Sequence, residues 1–200
     1  MQLLGSFTSP FVRRVRVVVL EKGLQDQVAL VETNPFANGA ELLEANPLGK
    51  VPALLGAGPG ALYDSRVICE YLDQLNPEPA LLPDAGPERW EVLRRQALAE
   101  GIMDAAAAHV MESRREDGMV SAHWQGRREE SMLRGALELA RLQSEHAWPL
   151  DLGSIASAVA LAYLDFRHAQ VDWRGHCPGL AAWLDVFSQR PSMQASRPPA

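Results

Sequence analysis

Ser9 stands directly before Pro10 in the segment Ser6-Phe7-Thr8-Ser9-Pro10-Phe11-Val12-Arg13. Proline suits the first position of a helix, because its φ is preset and its missing N–H is not needed there. Ser9 is therefore expected at or beside the N-cap. A hydroxyl there meets unpaired N–H groups and the positive end of the helix dipole. An anion bound at that point is stabilised. Taken alone, a plain helix cap accounts for Ser9 equally well, and Thr8 offers a rival hydroxyl.

Two further segments carry groups of the same kind. In Asn46-Pro47-Leu48-Gly49-Lys50-Val51-Pro52, Gly49 closes a loop and Pro52 begins a strand, a position where proline is tolerated. An ordinary turn explains this segment. A cis Val51–Pro52 bond, which costs about 0.5–1 kcal/mol, would instead turn the Val51 backbone outward to pair with an extended ligand. In Tyr63-Asp64-Ser65-Arg66, either Asp64 or Ser65 caps a following helix. The Ser65 hydroxyl and N–H also suit a carboxylate, and Asp64 suits an ammonium group.

The elements around these segments alternate in type. Gln2–Gly5 reads as a strand, and Pro10 opens a helix with Phe11, Val15, Val18 and Val19 on one face, ended by Gly23. Arg13, Arg14 and Arg16 read as a solvated helix face that adds a favourable field. Val28–Val31 is a second strand, and a short helix covers 40–44. Val51–Leu55 and Ala61–Tyr63 are two more strands, joined through the glycine-rich stretch 56–60. A helix from Ser65 carries Ile68, Tyr71, Leu72 and Leu75 at i, i+3, i+4, i+7. The order βαβαββα brings Ser9, Val51 and Asp64–Ser65 to one edge. That set suits a small peptide-like ligand with a thiol, an amide backbone, a carboxylate and an ammonium group.

Prolines and glycines over 78–87 read as a linker. Helical periodicity follows over 88–112, 122–146, 154–169 and 178–189. The last span carries Leu180, Trp183, Leu184 and Phe187 in register. Residues 197–200 read as a loose tail. Domains are thus expected at 1–77 and 88–200.

Composition narrows the function class. The chain of 200 residues has a net charge of −6, with 6 basic and 9 acidic side chains before residue 81 and 13 and 16 after it. Neither part is a basic patch, so nucleic-acid binding is not expected. A hydrophobic content of 47% with 22% charged residues fits a folded core. Two cysteines make no disulfide framework, redox pair or cysteine-rich metal site, which suits a cytoplasmic protein. No signal peptide or bilayer-spanning run is read. The five histidines show no ligand spacing, and no metal is expected. The 56–60 stretch lacks the Lys-Ser/Thr of a phosphate loop.

Taken with Ile68-Cys69-Glu70-Tyr71-Leu72 after Asp64-Ser65, the three segments resemble the soluble glutathione S-transferase family, its bacterial serine-type, YibF-like branch above all. Glu100–Asp104 resembles that branch too. The resemblance implies a thioredoxin-like N-terminal domain followed by an all-helical domain. It further implies a homodimer that activates glutathione for attack on a small hydrophobic electrophile, as in detoxification. Ser9 would donate to the glutathione sulfur, and Val51, before a cis-Pro52, would pair with its cysteinyl backbone. Asp64 and Ser65 would hold its γ-glutamyl end, with Lys50 a further carboxylate contact. A second-substrate pocket is expected between the domains; Phe7, Phe36, Met103 and Met111 are candidates for it and equally candidates for core packing. Rival readings are a non-enzymatic interaction protein like the stringent-starvation type, and a glutathione-dependent isomerase or dehalogenase.

The chain departs from the family in two places. No cysteine replaces Ser9, which disfavours thiol oxidoreductase chemistry. The core helix reads Ser154-Ile155-Ala156-Ser157, so Ser154 is expected to cap it without an acidic partner.

Overall fold

The computed structural model describes residues 1–116 and 118–199. The chain forms two compact units, Met1–Pro83 with Arg190–Ala200, and Asp84–Gln189.

The first unit begins β1 (Gln2–Gly5), α1 (Pro10–Glu21), β2 (Ala29–Glu32). A 3-10 turn (Pro35–Ala37), α2 (Ala40–Ala45), β3 (Ala53–Leu55) and α3 (Ser65–Leu75) follow. The sheet runs β2-β1-β3, with β1 parallel to β2 and antiparallel to β3. This is the mixed sheet that a βαβ start followed by an antiparallel return demands. The expected fourth strand at Ala61–Tyr63 shrinks to one bridge between Leu62 and Leu54. Val28 and Val51 fall outside their expected strands.

In α1, five valines (Val12, Val15, Val17, Val18, Val19) are buried, so tertiary packing overrides the modest helix propensity of β-branched residues. Arg13 and Arg14 are buried as well, at 7% and 1% exposure. The solvated-face reading of these arginines is therefore corrected. At the end of β1, a Cβ on Gly5 would lie 2.6 Å from Val12 Cγ1. Glycine lets the strand end abut the first turn of α1.

The stretch expected as a linker is partly fastened to this unit. Leu81 and Leu82 are buried, and their N–H groups donate to Asp73 at 2.9 and 3.0 Å. Asp73 also pairs with the buried Lys22 at 2.7 Å.

The second unit holds α4 (Pro87–Ser113), α5 (Ala122–Glu145), α6 (Leu152–Arg167), α7 (Trp173–His176) and α8 (Pro178–Phe187). Helix α6 is buried on nearly every side, as a helix apolar all round must be. Its cap differs from expectation. Asp151, not Ser154, is the N-cap: its carboxylate accepts the Ser154 N–H at 2.7 Å, and the Ser154 hydroxyl accepts the Asp151 N–H at 2.9 Å. The acidic partner thus lies three residues before the serine, giving a capping box with the two roles exchanged. A Cβ on Gly153 would lie 2.8 Å from the Val92 carbonyl, and that close approach to α4 sets Asp151 beside Arg95.

Residues from Arg190 return to the first unit, whereas the sequence pattern places all of 88–200 in the helical domain. They form α9 (Pro191–Ala195), tied to α1 by long-range ionic contacts that no local pattern foretells.

One buried pair in the second unit makes stability depend on pH. His168 Nε2 donates to the Ala106 carbonyl at 3.1 Å, and the His109 ring lies edge-on at 4.9 Å. Burial, then the neighbouring His109, pushes the His168 pKa down to about 4. A histidine in the unfolded chain titrates near 6.5. The folded state therefore takes up the proton last, and this contribution is whole above the unfolded pKa and lost as pH falls through the folded one. Urea unfolding is expected to read about 2 kcal/mol less from this group at pH 5 than at pH 7. A His168→Gln variant should flatten the profile across that window.

Candidate functional site

Ser9 is the N-cap of α1, with extended φ −77° and ψ 126°. Its Oγ accepts the Val12 N–H at 3.4 Å. A hydroxyl has one proton and two acceptor positions, so capping spends an acceptor and leaves the proton for another partner. The cap and a donor role are therefore compatible. Thr8 is placed differently. Its Oγ1 lies 3.2 Å from Ser6 Oγ, and its N–H donates to the same Ser6 oxygen. The turn is closed by Ser9 N–H to Ser6 O at 3.1 Å.

Strand register brings the three segments to one end of the sheet. Leu4 pairs with Ala53, so the step beyond β1 runs alongside Val51. Leu62 pairs with Leu54 in the antiparallel sense, so the chain reaches Asp64 abreast of Pro52. The Val51–Pro52 bond is cis, as is Tyr63–Asp64. The Val51 side chain packs against the cluster of Leu4, Leu42, Ala45 and Ala53. Among the described residues, its N–H donates and its carbonyl accepts no hydrogen bond, which leaves a short extended edge for pairing. Asn46 stiffens this loop: its side chain donates to the Lys50 carbonyl at 2.8 Å and accepts the Leu48 N–H at 3.1 Å. The Lys50 side chain itself is exposed.

Asp64 caps α3, accepting the Arg66 N–H at 2.9 Å, and remains half exposed. Ser65 is 1% exposed, and its hydroxyl accepts a hydrogen bond from Arg14 Nη2. The hydroxyl thus faces a buried guanidinium. The Ser65 N–H, at the first turn of α3, has no acceptor among the described residues and points with the helix dipole. Arg14 is the site residue that sequence reading missed as a partner. The signal was its place one turn after Pro10 and one turn before Val18, on a buried row.

The candidate second-substrate residues differ in exposure. Met103 is fully buried, Phe36 is 63% exposed, and Met111 is 39% exposed. Phe7 lies under the Arg16 guanidinium, 5.1 Å from ring centroid to Cζ. A cavity of about 440 Å³ occurs in the second unit, bordered by His168, Asp165 and Arg174. Its Asp165 is already engaged by Trp173 Nε1 and Arg174, and it contains none of the expected site residues. No group of His, Cys, Asp and Glu suited to a metal occurs among the described residues, and no helix there is long and apolar enough to cross a membrane.

Comparison with known proteins shows the family. Residues 8–75 match the family model of the glutathione S-transferase N-terminal domain. The uncharacterized GST-like protein YibF of Escherichia coli K12 is 34% identical over 205 residues, spanning 100% of this chain and 99% of its own. A crystal structure of a glutathione transferase family member from Pseudomonas fluorescens Pf-5, with bound glutathione, superposes at TM-score 0.91. It has 40% identity and covers 100% of this chain and 99% of that one. A second structure of that family member holds S-(propanoic acid)-glutathione. A stringent starvation protein A homolog of Pasteurella multocida is 33% identical over 58% of this chain and 59% of its own. A match from end to end at that identity, together with the matched N-terminal domain, places the chain in the glutathione S-transferase family.

Proposed function

We propose that the protein is a glutathione transferase that binds glutathione at the end of the first unit's sheet, activates it as the thiolate and adds it to a small hydrophobic electrophile. The observation that carries this reading is Ser9: a cap hydroxyl that accepts from Val12 and keeps its proton for a sulfur. The engagement of Thr8 with Ser6 favours Ser9 over Thr8. Val51 would pair with the cysteinyl backbone, and Asp64 would take the γ-glutamyl ammonium. The Ser65 N–H would take the γ-glutamyl carboxylate, joined by the Ser65 hydroxyl, which accepts from Arg14 and keeps its proton to donate. Lys50 would reach the ligand's other carboxylate only from the solvent side. Glutathione and a glutathione conjugate bound to the Pseudomonas relative support the same ligand class. The acting form is taken to be a cytoplasmic homodimer that needs no metal.

Calorimetric titration of glutathione, with thiolate absorbance followed across pH, tests this reading. Binding with a depressed thiol pKa is the expected result. Asp64→Asn keeps the cap acceptor for Arg66 but removes the charge. Its glutathione affinity should fall roughly 5–20-fold, since charged hydrogen bonds contribute about 1.5–3 kcal/mol and this one is partly solvated. Unchanged affinity would remove Asp64 from the site. Absence of binding at millimolar glutathione would favour the second reading, a non-enzymatic interaction protein. Glutathione recovered unchanged or oxidised after turnover would indicate isomerase or dehalogenase chemistry.

A further inference from the structure

The C-terminal segment is clasped onto α1 at two places. At the far end of α1, Glu21 accepts both Arg190 Nε and Nη2, at 2.7 and 2.8 Å, and also the Ser192 hydroxyl. Toward the near end, two guanidiniums meet the last turn of α9. Arg13 Nη2 donates to the Met193 carbonyl at 3.2 Å, and Arg13 Nε to Ser196 Oγ. Arg16 donates to the carbonyls of Ser196 and Ala195 at 3.2 and 3.1 Å. The carbonyls of Ala195 and Ser196 have no other partner among the described residues, and that of Met193 also accepts the Ser196 hydroxyl. Carbonyls at a helix end lack intrahelical donors and are natural acceptors for cations.

Arg16 does one thing more. The same guanidinium lies over the Phe7 ring, and Phe7 is the second residue of the Ser6–Ser9 turn. Within the turn Ser6 is tied to Ser9 through the backbone and to Thr8 through hydroxyls. Ser9 is held to α1 by the Val12 and Arg13 N–H groups, so the Phe7 side is fixed from outside through Arg16. An unbroken series of contacts therefore runs from the α9 carbonyls through Arg16 and Phe7 to the residue before Thr8-Ser9.

We infer that the clasped C-terminal segment holds the Ser6–Ser9 turn in place through Arg16 and Phe7, making both positioning residues for the Ser9 hydroxyl; the consequence for catalysis rests on the reading of Ser9 given above. A guanidinium is flat and donates in several directions at once. One face covers the ring while its edge stays on the carbonyls. Lysine has no such face and keeps only the point charge. Burial and the nearby cations Arg16 and Arg197 lower the Arg13 pKa to about 10. The cluster therefore depends on the α9 carbonyls as acceptors, and loosening α9 leaves crowded cations with fewer partners.

The test uses the full chain and amide hydrogen exchange in wild type, Arg16→Ala, Arg16→Lys and Glu21→Gln. Glu21→Gln is the decisive variant, because it removes the charge facing Arg190 and the second acceptor that Arg190 Nη2 uses, without touching Phe7 or the turn. The expected result is exchange ~5-fold faster or more in both 190–196 and Phe7–Ser9 for Glu21→Gln, and ~10-fold faster for Arg16→Ala. Arg16→Lys should keep 190–196 near wild type while the turn exchanges faster. Faster exchange at 190–196 with Phe7–Ser9 unchanged in Glu21→Gln would overturn the inference. The second readout is the thiol pKa of bound glutathione. It should rise by ~0.5–1 unit in Glu21→Gln, with glutathione affinity within ~2-fold of wild type. A pKa that stays put while the turn loosens would overturn the positioning role. Wild type that binds no glutathione would overturn the transferase reading, and the exchange result would still decide the coupling of tail and turn.

Discussion

Ser9→Ala is expected to raise the pKa of bound glutathione by about 1–2 units and to cut turnover at pH 7 by roughly 10–100-fold. A free thiol of pKa about 8.5 is only a few per cent thiolate at neutral pH, and lowering that value by two units takes about 2.7 kcal/mol. One hydrogen bond to a charged sulfur supplies about 1.5–3 kcal/mol, and the α1 N-terminus adds about 0.3–1 kcal/mol. The hydroxyl is thus the larger contribution, and the helix end remains when it is removed. Two consequences separate this from simple unfolding. The deficit should shrink as pH rises above the variant's thiol pKa, because the thiolate then forms without help. Glutathione affinity should largely persist, since Val51 and Asp64 are untouched. Loss of the cap bond to Val12 costs about 1 kcal/mol of stability, which a thermal melt reads separately. Thr8→Ala should leave turnover near wild type. The reverse pattern would move the role to Thr8.

Asp151→Ala is expected to lower stability by about 3–5 kcal/mol in urea unfolding. Asp151 pairs with Arg95 at 2.6 Å, with both side chains under a tenth exposed. Removing one partner leaves a buried guanidinium without its counter-charge, a costlier state than never having had the pair. Arg95 Nη1 already lacks a hydrogen-bond partner among the described residues, and the Trp148 ring beneath it, at 5.0 Å, offers a weaker substitute. The same substitution removes the cap of α6, the helix on which the second unit's core is built. Asp151→Asn separates the two effects, because asparagine is a good cap and carries no charge. Replacing Arg95 by leucine in the Asp151→Ala background should recover part of the loss. A cost below about 1 kcal/mol would mean that water reaches Arg95 and that the pair is no buried pair.

Legibility in the sequence followed the range of the interaction. The start of α1 was readable because Pro10 and Ser9 act on their own next turn. The four long helices of the second unit appeared within a few residues of their expected spans, since a 3.6-residue repeat is visible within any short window. The short α7 and α9 were missed, because one turn shows no periodicity. The last strand was overcalled. Ala61-Leu62-Tyr63 has strand composition, but only Leu62 finds a partner, and pairing is what makes a strand. Ser9, Val51 and Asp64 stand out as candidates through residue type and order, and the strand register brings their segments to one end of the sheet. The Ser65 hydroxyl was read as open, yet it faces Arg14, 51 residues away in sequence.

By itself, then, the sequence determined the βαβ start, the helical second half, the cap serine and the order that sends three polar segments to one sheet end. These depend on neighbours within a turn or on the succession of elements. Tertiary structure alone decided which charges are buried and with whom: Arg95 with Asp151, 56 residues apart, and Lys22 with Asp73, 51 apart. It also decided that the last residues return to α1. A buried charge is tolerated only where a partner meets it. That partner is chosen by the fold and leaves no periodic trace along the chain.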